Sequence, residues 1–297
     1  GGGGSGSGVR RRSVIGGRAA VGAGLPTPPV GLAPSVRSVG TAALILAVAL
    51  VTWVVTVDRM SGMDSGPGAD PGALGWYLGL WVTMMAAMML PSVAPMALVF
   101  RRVSSERARR GRASVPTWVF LVGYLGVWTA YGLAAYGAMR GLRALDPAFL
   151  AWDRTGPLVA GAAVAAAGVY QLTPLKRACL GHCRSPLHFV MRGWREGRIG
   201  AVRMGVEHGA WCVGCCWGLM LILLTLGVMS LQWMAVVGAV IFAEKVLPFG
   251  ARLPRAIALV LVGAGLWIGL APESVPGLTE PGTSAMPAGD GMKMGSD

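Results

Sequence analysis

Seven long apolar stretches dominate this chain and restrict the folds it can adopt. A helix needs roughly 17 to 25 apolar residues to cross a hydrocarbon core about 30 Å thick, and the stretches have about that length. Charged residues make up 13% of the chain, whereas they make up roughly 25% of a soluble domain. The sequence therefore predicts an all-α fold, a polytopic bundle of about seven transmembrane helices. The stretches are Val39 to Val57, Leu74 to Phe100, Val115 to Met139, Pro157 to Thr173, Gly209 to Val228, Leu231 to Pro248 and Ala256 to Leu270.

The apolar stretches divide the chain into three parts. Residues 1–38 are rich in Gly, Pro and Arg, which predicts a disordered basic segment because this composition buries little apolar surface. Residues 39–270 form the predicted transmembrane domain, which includes a basic loop over residues 175–208 at the cytoplasmic face. Apolar residues among the arginines of that loop favour an amphipathic helix in the membrane interface. Residues 271–297 contain Pro, Gly and acidic residues, and this composition predicts a disordered tail.

The lysines and arginines alternate between the two ends of the predicted spans. Of the 26 Lys and Arg residues, twenty lie in segments on one side and five on the other, with Lys245 inside the sixth stretch. Basic residues near span ends remain in the cytoplasm. We therefore predict a multi-pass protein of the cell inner (cytoplasmic) membrane, with its N-terminus in the cytoplasm and its C-terminus outside. The net charge of +13 does not indicate a nucleic-acid partner, since no basic stretch combines with the aromatic and polar groups of base recognition.

All five cysteines and all three histidines lie within 38 residues of one another. On a helix, His208, Cys212 and Cys215 stand at i, i+4 and i+7 and share one face. Thiolate and thioether ligands favour Cu(I), and mixed Cys and His sites also suit zinc. The cluster therefore predicts a metal site for Cu(I), with zinc as the alternative ion. Its candidate ligands are Cys179, His182, Cys183, His208, Cys212, Cys215 and Cys216.

Other interpretations of the cysteines stay open at this point. A buried cysteine often acts as a small apolar side chain. The C-x-x-C pair Cys212 and Cys215, or the adjacent Cys215 and Cys216, could exchange electrons with a quinone or a partner thiol. The alternative hypotheses are therefore a membrane thiol redox protein and a structural or assembly subunit of a larger membrane complex. Stable disulfides are not expected at a cytoplasmic face.

The second stretch carries an unusual run of methionines before Pro91. Methionine usually fills irregular gaps between helices, but thioethers along one helix could also form a ladder for the passage of Cu(I). We therefore include these methionines among the candidate metal ligands. They are Met84, Met85, Met88 and Met89.

The sixth stretch contains two ionisable residues, Glu244 and Lys245. Charged groups inside a span are costly, so they indicate function. We predict that they lie at the depth of the cysteine cluster and that Glu244 is a further candidate ligand. The alternative is that Lys245 extends to the surface while Glu244 pairs with an arginine.

Several of these strings together resemble an uncharacterised bacterial family described as predicted metal-binding integral membrane proteins. The resemblance extends from about Trp76 to Pro248. It implies a metal-binding membrane protein with a connection to copper, and it names no reaction. The expected partners are the lipid bilayer, a metal ion, and a metallochaperone or a larger membrane complex. The strings are Met84 to Pro91 (MMAAMMLP), Tyr170 to Cys183 (YQLTPLKRACLGHC), His208 to Met220 (HGAWCVGCCWGLM), and Trp233-Met234 followed by Glu244-Lys245.

Overall fold

The computed structural model is helical wherever it contains regular secondary structure. It describes residues 1–4, 36–61, 72–145, 155–226, 231–247, 250 and 252–274, and these contain no strand. The predicted all-α fold is therefore confirmed for this part of the chain. The α-helices are α1 (Val36–Met60), α2 (Leu74–Arg109), α3 (Thr117–Ala144), α4 (Gly156–Tyr170), α5 (Pro174–Arg184), α6 (Pro186–Arg192), α7 (Gly197–Leu226), α8 (Leu231–Val246) and α9 (Arg252–Leu270), and a 3-10 turn follows at Pro272–Ser274.

The chain divides into two units, Gly1–Pro34 and Ser35–Asp297. Of the first unit the structure describes Gly1 to Gly4, which are exposed and have no regular secondary structure. The helices all belong to the second unit. Most of the predicted N-terminal segment, and the tail beyond residue 274, lie outside the described residues.

Five of the described helices, namely α1, α2, α3, α7 and α9, are long and apolar enough to cross a membrane. The pair α4 and α5 meets the same standard as one broken span with a bend of 64°. Helix α8 has 16 residues, and at about 1.5 Å per residue it is shorter than the roughly 30 Å core. The described helices therefore provide five spans, or six with the bent pair, and the number seven stays a prediction.

The predicted loop over residues 175–208 is folded into helices. It contains α5, α6 and the first three turns of α7, which begins at Gly197 and not near Gly209. Ala201, Met204 and His208 are buried, and this spacing of three and four residues defines one face of a helix. Arg198 and Arg203 lie on the exposed face. The basic residues that indicated a loop therefore lie on the exposed side of a helix, and the expected amphipathic helix is the first part of α7.

The segment before α7 is tied to the end of α2. Arg107 donates a hydrogen bond to the carboxylate of Glu196, and its guanidinium group lies 5.2 Å from the centroid of the Trp194 ring. The hydrogen bond from Arg107 lowers the pKa of Glu196. This contact holds the segment that precedes α7 against the end of α2.

Helices α3 and α7 approach each other closely because small residues face each other. A Cβ atom on Gly205 would overlap the carbonyl oxygen of Phe120, and one on Gly123 would overlap that of Val202. Small residues at such contacts are typical of helices that pack without long side chains between them. The close approach brings Tyr124 of α3 against α7, where the cysteines lie.

We expect Gly205→Ala to destabilise the bundle, because its Cβ would push α3 and α7 apart. Overpacking of this kind costs about 1–3 kcal/mol, so the unfolding midpoint of the detergent-solubilised protein should fall. Gly126→Ala is the matched control on α3, since a Cβ there meets no atom within 4 Å. Equal midpoints for the two variants would contradict the close contact.

Candidate metal centre

Three thiols of α7 lie together inside the helix bundle. The Sγ atoms of Cys212, Cys215 and Cys216 are all within 4.8 Å of one another, and all three residues are buried. Cys215 Sγ lies 3.2 Å from Cys216 Sγ and 3.1 Å from the carbonyl oxygen of Cys212, to which its thiol donates. The spacing of three and four residues from Cys212 brings the sulfurs to one side of the helix. The predicted stripe of thiols on α7 thus forms one compact group, called here the thiol cluster.

Helix α5 adds a fourth thiol at the edge of the thiol cluster. Cys183 is half-buried, and its Sγ lies 3.8 Å from Cys215 Sγ. Cys179, one turn earlier, is buried against α7, since its Sγ lies 2.8 Å from where a Cβ on Gly214 would be. All five cysteines are free thiols. The structure therefore brings Cys183 to the α7 thiols and packs Cys179 beside them.

The start of α5 follows from its sequence. Thr173 precedes the helix, and its side chain accepts a hydrogen bond from the backbone N–H of Lys176 at 3.2 Å. Pro174 occupies the first helical position, where its fixed backbone angle and missing N–H suit a helix start. Because a proline disfavours helical geometry in the residue before it, α4 and α5 cannot form one straight helix. The bend allows α5 to pack against α7.

Two polar side chains contact Cys212. Lys245 Nζ donates a hydrogen bond to Cys212 Sγ at 2.9 Å, and Tyr124 Oη lies 3.0 Å from the same sulfur. Lys245 is only 9% exposed, so the interpretation in which it extends to the surface is wrong. An ammonium group this close favours negative charge on the sulfur, and the thiolate is the form that binds metal.

Glu244 forms a buried ion pair with Lys176 of α5. The distance from Lys176 Nζ to Glu244 Oε2 is 2.6 Å, and each side chain is 1% exposed. The alternative in which Glu244 pairs with an arginine is therefore wrong, because its partner is a lysine. The second carboxylate oxygen, Oε1, has no hydrogen-bond partner among the described residues. Glu244 thus joins α8 to α5, and its role as a metal ligand stays a prediction.

The candidate histidines occupy different environments. His208 is buried beside the ring of Tyr124, with 5.7 Å between the ring centroids, and its Nδ1 has no hydrogen-bond partner in the described structure. It shares the predicted face of α7 but does not belong to the group of three sulfurs. His182 is exposed and stacks on Trp211 at 4.0 Å. His182 therefore lies at the surface, whereas His208 lies in the interior.

The four candidate methionines of α2 are all buried. Met88 faces α8, because a Cβ on Gly238 would lie 3.5 Å from its Cγ atom. Thioethers in such positions fill the space between helices. Their burial agrees with a packing role, and a path for Cu(I) along them stays a prediction.

Sequence analysis did not identify Tyr124 as part of the site, nor Lys176 as the partner of Glu244. Neither residue is part of a recognisable motif, and each contacts a residue at least 68 positions away along the chain. The available signal for Lys176 was Glu244 inside an apolar stretch, because a buried carboxylate needs a cation nearby. No comparable pattern points to Tyr124.

An all-helical bundle with a buried thiol cluster defines a protein suited to holding a soft metal ion. Residues 78–268 match a family model described as PpoB2, copper chaperone. Because the match covers well over half of the 297 residues, the chain belongs to this copper chaperone family. The matched region contains the thiol cluster and every other candidate ligand. Comparison with curated proteins and with solved structures gave no match.

The resemblance to a metal-binding family is thus confirmed in its connection to copper. The bacterial origin and the membrane location implied by it stay predictions.

We expect single changes in the buried pair to be costly, because each leaves a charge without its partner. Glu244→Gln or Lys176→Met should destabilise the fold by about 3–5 kcal/mol, and the double variant Lys176→Met/Glu244→Leu should recover most of this. Unfolding midpoints measure the effect. Arg195→Gln, which breaks the exposed pair with Glu207 at 3.9 Å, is the control and should change stability by less than about 1 kcal/mol.

The same double variant also tests Glu244 as a ligand. If it folds and keeps its copper, Glu244 serves the structure alone. If it folds and loses copper while folded Lys176→Met keeps it, the carboxylate takes part in binding.

Proposed function

We propose that this chain is an integral membrane copper chaperone that holds Cu(I) at the thiol cluster and passes it to a partner by ligand exchange. The observation that carries the proposal is the group formed by Cys212, Cys215 and Cys216 next to the ammonium group of Lys245. Membership in a copper chaperone family supports the same ion. Cu(I) is here the cargo of the protein.

The buried charges near the thiol cluster suit a metal complex with one net negative charge. Cu(I) bound by two thiolates carries one net negative charge, and Zn(II) bound by the three thiolates of the cluster would carry the same charge. The choice of Cu(I) therefore rests on the soft thiolate ligands and on the family match. Among the described residues, the buried cations are Lys176 and Lys245, and Glu244 already neutralises Lys176. Lys245 alone therefore remains to balance the metal complex, and an uncompensated buried charge is costly. One ammonium group matches a Cu(I) bis-thiolate.

The proposed location is the inner membrane of the cell, and the surfaces of α1 and α9 support it. Large apolar side chains on both helices are exposed, and a contiguous apolar surface of this kind is unfavourable in water. In a bilayer the same side chains would contact lipid. The exposed residues include Leu44, Leu50, Val51 and Val54 on α1, and Leu259, Val260 and Leu270 on α9.

Removing the thiol cluster should remove the copper. We expect the purified protein, kept reduced in detergent, to carry about one copper ion per chain by mass spectrometry. Cys212→Ser/Cys215→Ser/Cys216→Ser should carry almost none, because hydroxyl groups are poor ligands for Cu(I). Cys179→Ser, which removes a thiol outside the group of three, is the control and should keep the metal.

Two results would favour the other hypotheses. A metal-free parent that takes up neither copper nor zinc, and whose thiols show a reversible two-electron couple, would indicate a thiol redox protein. Loss of folding and of copurifying partners in the triple variant would indicate a structural subunit.

The proposed topology predicts the side of the membrane on which each segment lies. Reporter fusions after Arg112 and Arg192 should fluoresce as cytoplasmic green fluorescent protein, because these segments are rich in arginine. Alkaline phosphatase fused after Ser65 should be active outside. A fusion after Asp297 tests whether α8 crosses the membrane. Phosphatase activity there indicates seven spans, and fluorescence indicates that α8 does not cross. Recovery of the protein in the soluble fraction would contradict membrane insertion altogether.

A further inference from the structure

Two side chains of types that bind soft metal ions lie on α5, next to the thiol cluster and partly exposed. Of the five cysteines, Cys183 is the only one that is not buried, and the residue before it, His182, is exposed. We propose that His182 and Cys183 form a transfer site, which receives Cu(I) from a thiol-containing carrier and passes it to Cys215. This inference rests on the proposed function, because it assigns the route by which copper reaches the thiol cluster.

One ring nitrogen of His182 makes a hydrogen bond, which leaves the other nitrogen for a metal. Its Nδ1 lies 2.9 Å from the carbonyl oxygen of Ala178, and since a carbonyl oxygen can only accept, Nδ1 carries the proton. In a neutral ring the other nitrogen, Nε2, then has a free lone pair. The ring lies on Trp211 with 4.0 Å between centroids and 4° between planes. The stack fixes the orientation of a metal-binding nitrogen at the surface.

The distance from Cys183 to the thiol cluster suits direct exchange. Metal–thiolate bonds are about 2.3 Å long, so one ion can contact two sulfurs that are less than about 4.6 Å apart. The Sγ atoms of Cys183 and Cys215 are 3.8 Å apart, and those of Cys215 and Cys216 are 3.2 Å apart. Exposure falls along the same series, from exposed His182 through half-buried Cys183 to buried Cys215. The sulfurs thus form a short path from the surface to the interior.

Contacts with α7, with α8 and with Leu247 hold α5 in place beside the thiol cluster. Lys176 near its start is paired with Glu244 of α8, and Arg184 at its end donates a hydrogen bond to the carbonyl oxygen of Leu247. Between these anchors, His182 rests on Trp211 of α7. The transfer site therefore needs no movement of a helix to contact the thiol cluster.

The proposed transfer is an exchange of ligands without a change of oxidation state. A bond from Cu(I) to Cys183 Sγ forms as the bond to the carrier thiolate breaks, and the proton of Cys183 leaves with the carrier. A bond to Cys215 Sγ then forms as the bond to Cys183 breaks, and the proton of Cys215 returns to Cys183. Copper stays Cu(I) throughout, so no electron donor or acceptor is required.

A transfer site and a resident ligand differ in what their removal changes. Loss of a resident ligand lowers the amount of copper bound at equilibrium. Loss of a transfer ligand leaves that amount near the parental value and slows exchange. Rate and equilibrium measurements on the same variants therefore separate the two roles.

The experiment supplies Cu(I) as its glutathione complex to the full-length protein in detergent, and follows its later release to a coloured Cu(I) chelator. Cys183→Ser should bind near-parental copper at equilibrium, while uptake and release slow by about tenfold or more, a change of about 1.4 kcal/mol in the barrier. His182→Phe keeps an aromatic ring on Trp211 but removes Nε2, and it should slow exchange to a smaller degree. The controls are His188→Ala, an exposed histidine on α6, and Gly181→Ala, where a Cβ meets nothing within 4 Å.

A measurement without copper accompanies these rates. A water-soluble maleimide should label Cys183 of the metal-free parent before the four buried cysteines, and bound copper should slow that labelling. Unreactive Cys183 in the folded parent would overturn the transfer site. Parental exchange rates in both Cys183→Ser and His182→Phe would do so as well, and so would loss of equilibrium copper in Cys183→Ser. A parent that binds no copper would instead overturn the proposed function, and the transfer site with it.

Discussion

Two adjacent residues of α8 hold the two halves of the candidate metal centre in place. Glu244 pairs with Lys176 of α5, and Lys245 donates to Cys212 of α7. Consecutive side chains on a helix point about 100° apart, so one turn of α8 can contact two different helices. Each contact lies in the interior, where unpaired charges are strongly unfavourable. The position of α5 relative to α7, and hence of Cys183 relative to Cys215, depends on this arrangement.

Close packing of small residues holds α7 against α3. Glycines at the contact between α3 and α7 let the two backbones approach until Tyr124 meets both Cys212 and His208. In the interior a hydroxyl group that hydrogen-bonds a sulfur stabilises it more than the same group does in water, because no solvent competes. Cys212 therefore contacts two polar groups, an ammonium group from α8 that donates to its sulfur and a phenol from α3. This environment distinguishes Cys212 from the two other thiols of the cluster.

A copper chaperone must hold its ion tightly and still release it. Burial of the thiol cluster excludes water and competing ligands, and by itself it would also slow release. In the proposed route, a half-buried cysteine within reach of the cluster separates the two requirements, since affinity would depend on the buried sulfurs and exchange on the outer one. In the proposed membrane setting, α5 brings this outer cysteine to the end of the bundle, where a carrier can approach from the aqueous phase.

The sequence by itself determined the properties that depend on neighbours along the chain. Apolar length and composition predicted an all-α fold, and the spacing of His208, Cys212 and Cys215 predicted a shared helix face, because helical periodicity is local. It predicted a basic loop with an amphipathic helix over residues 175–208, and it did not indicate that α7 begins as early as Gly197, since the arginines of an exposed helix face resemble those of a loop.

Only the tertiary structure decided which distant residues meet. It joined Cys183 to Cys215, gave Lys176 to Glu244, placed Lys245 and Tyr124 on Cys212, and left His182 at the surface. Contacts between helices depend on how their faces pack in space, and the spacing of residues along one helix does not indicate which other helix each face will contact.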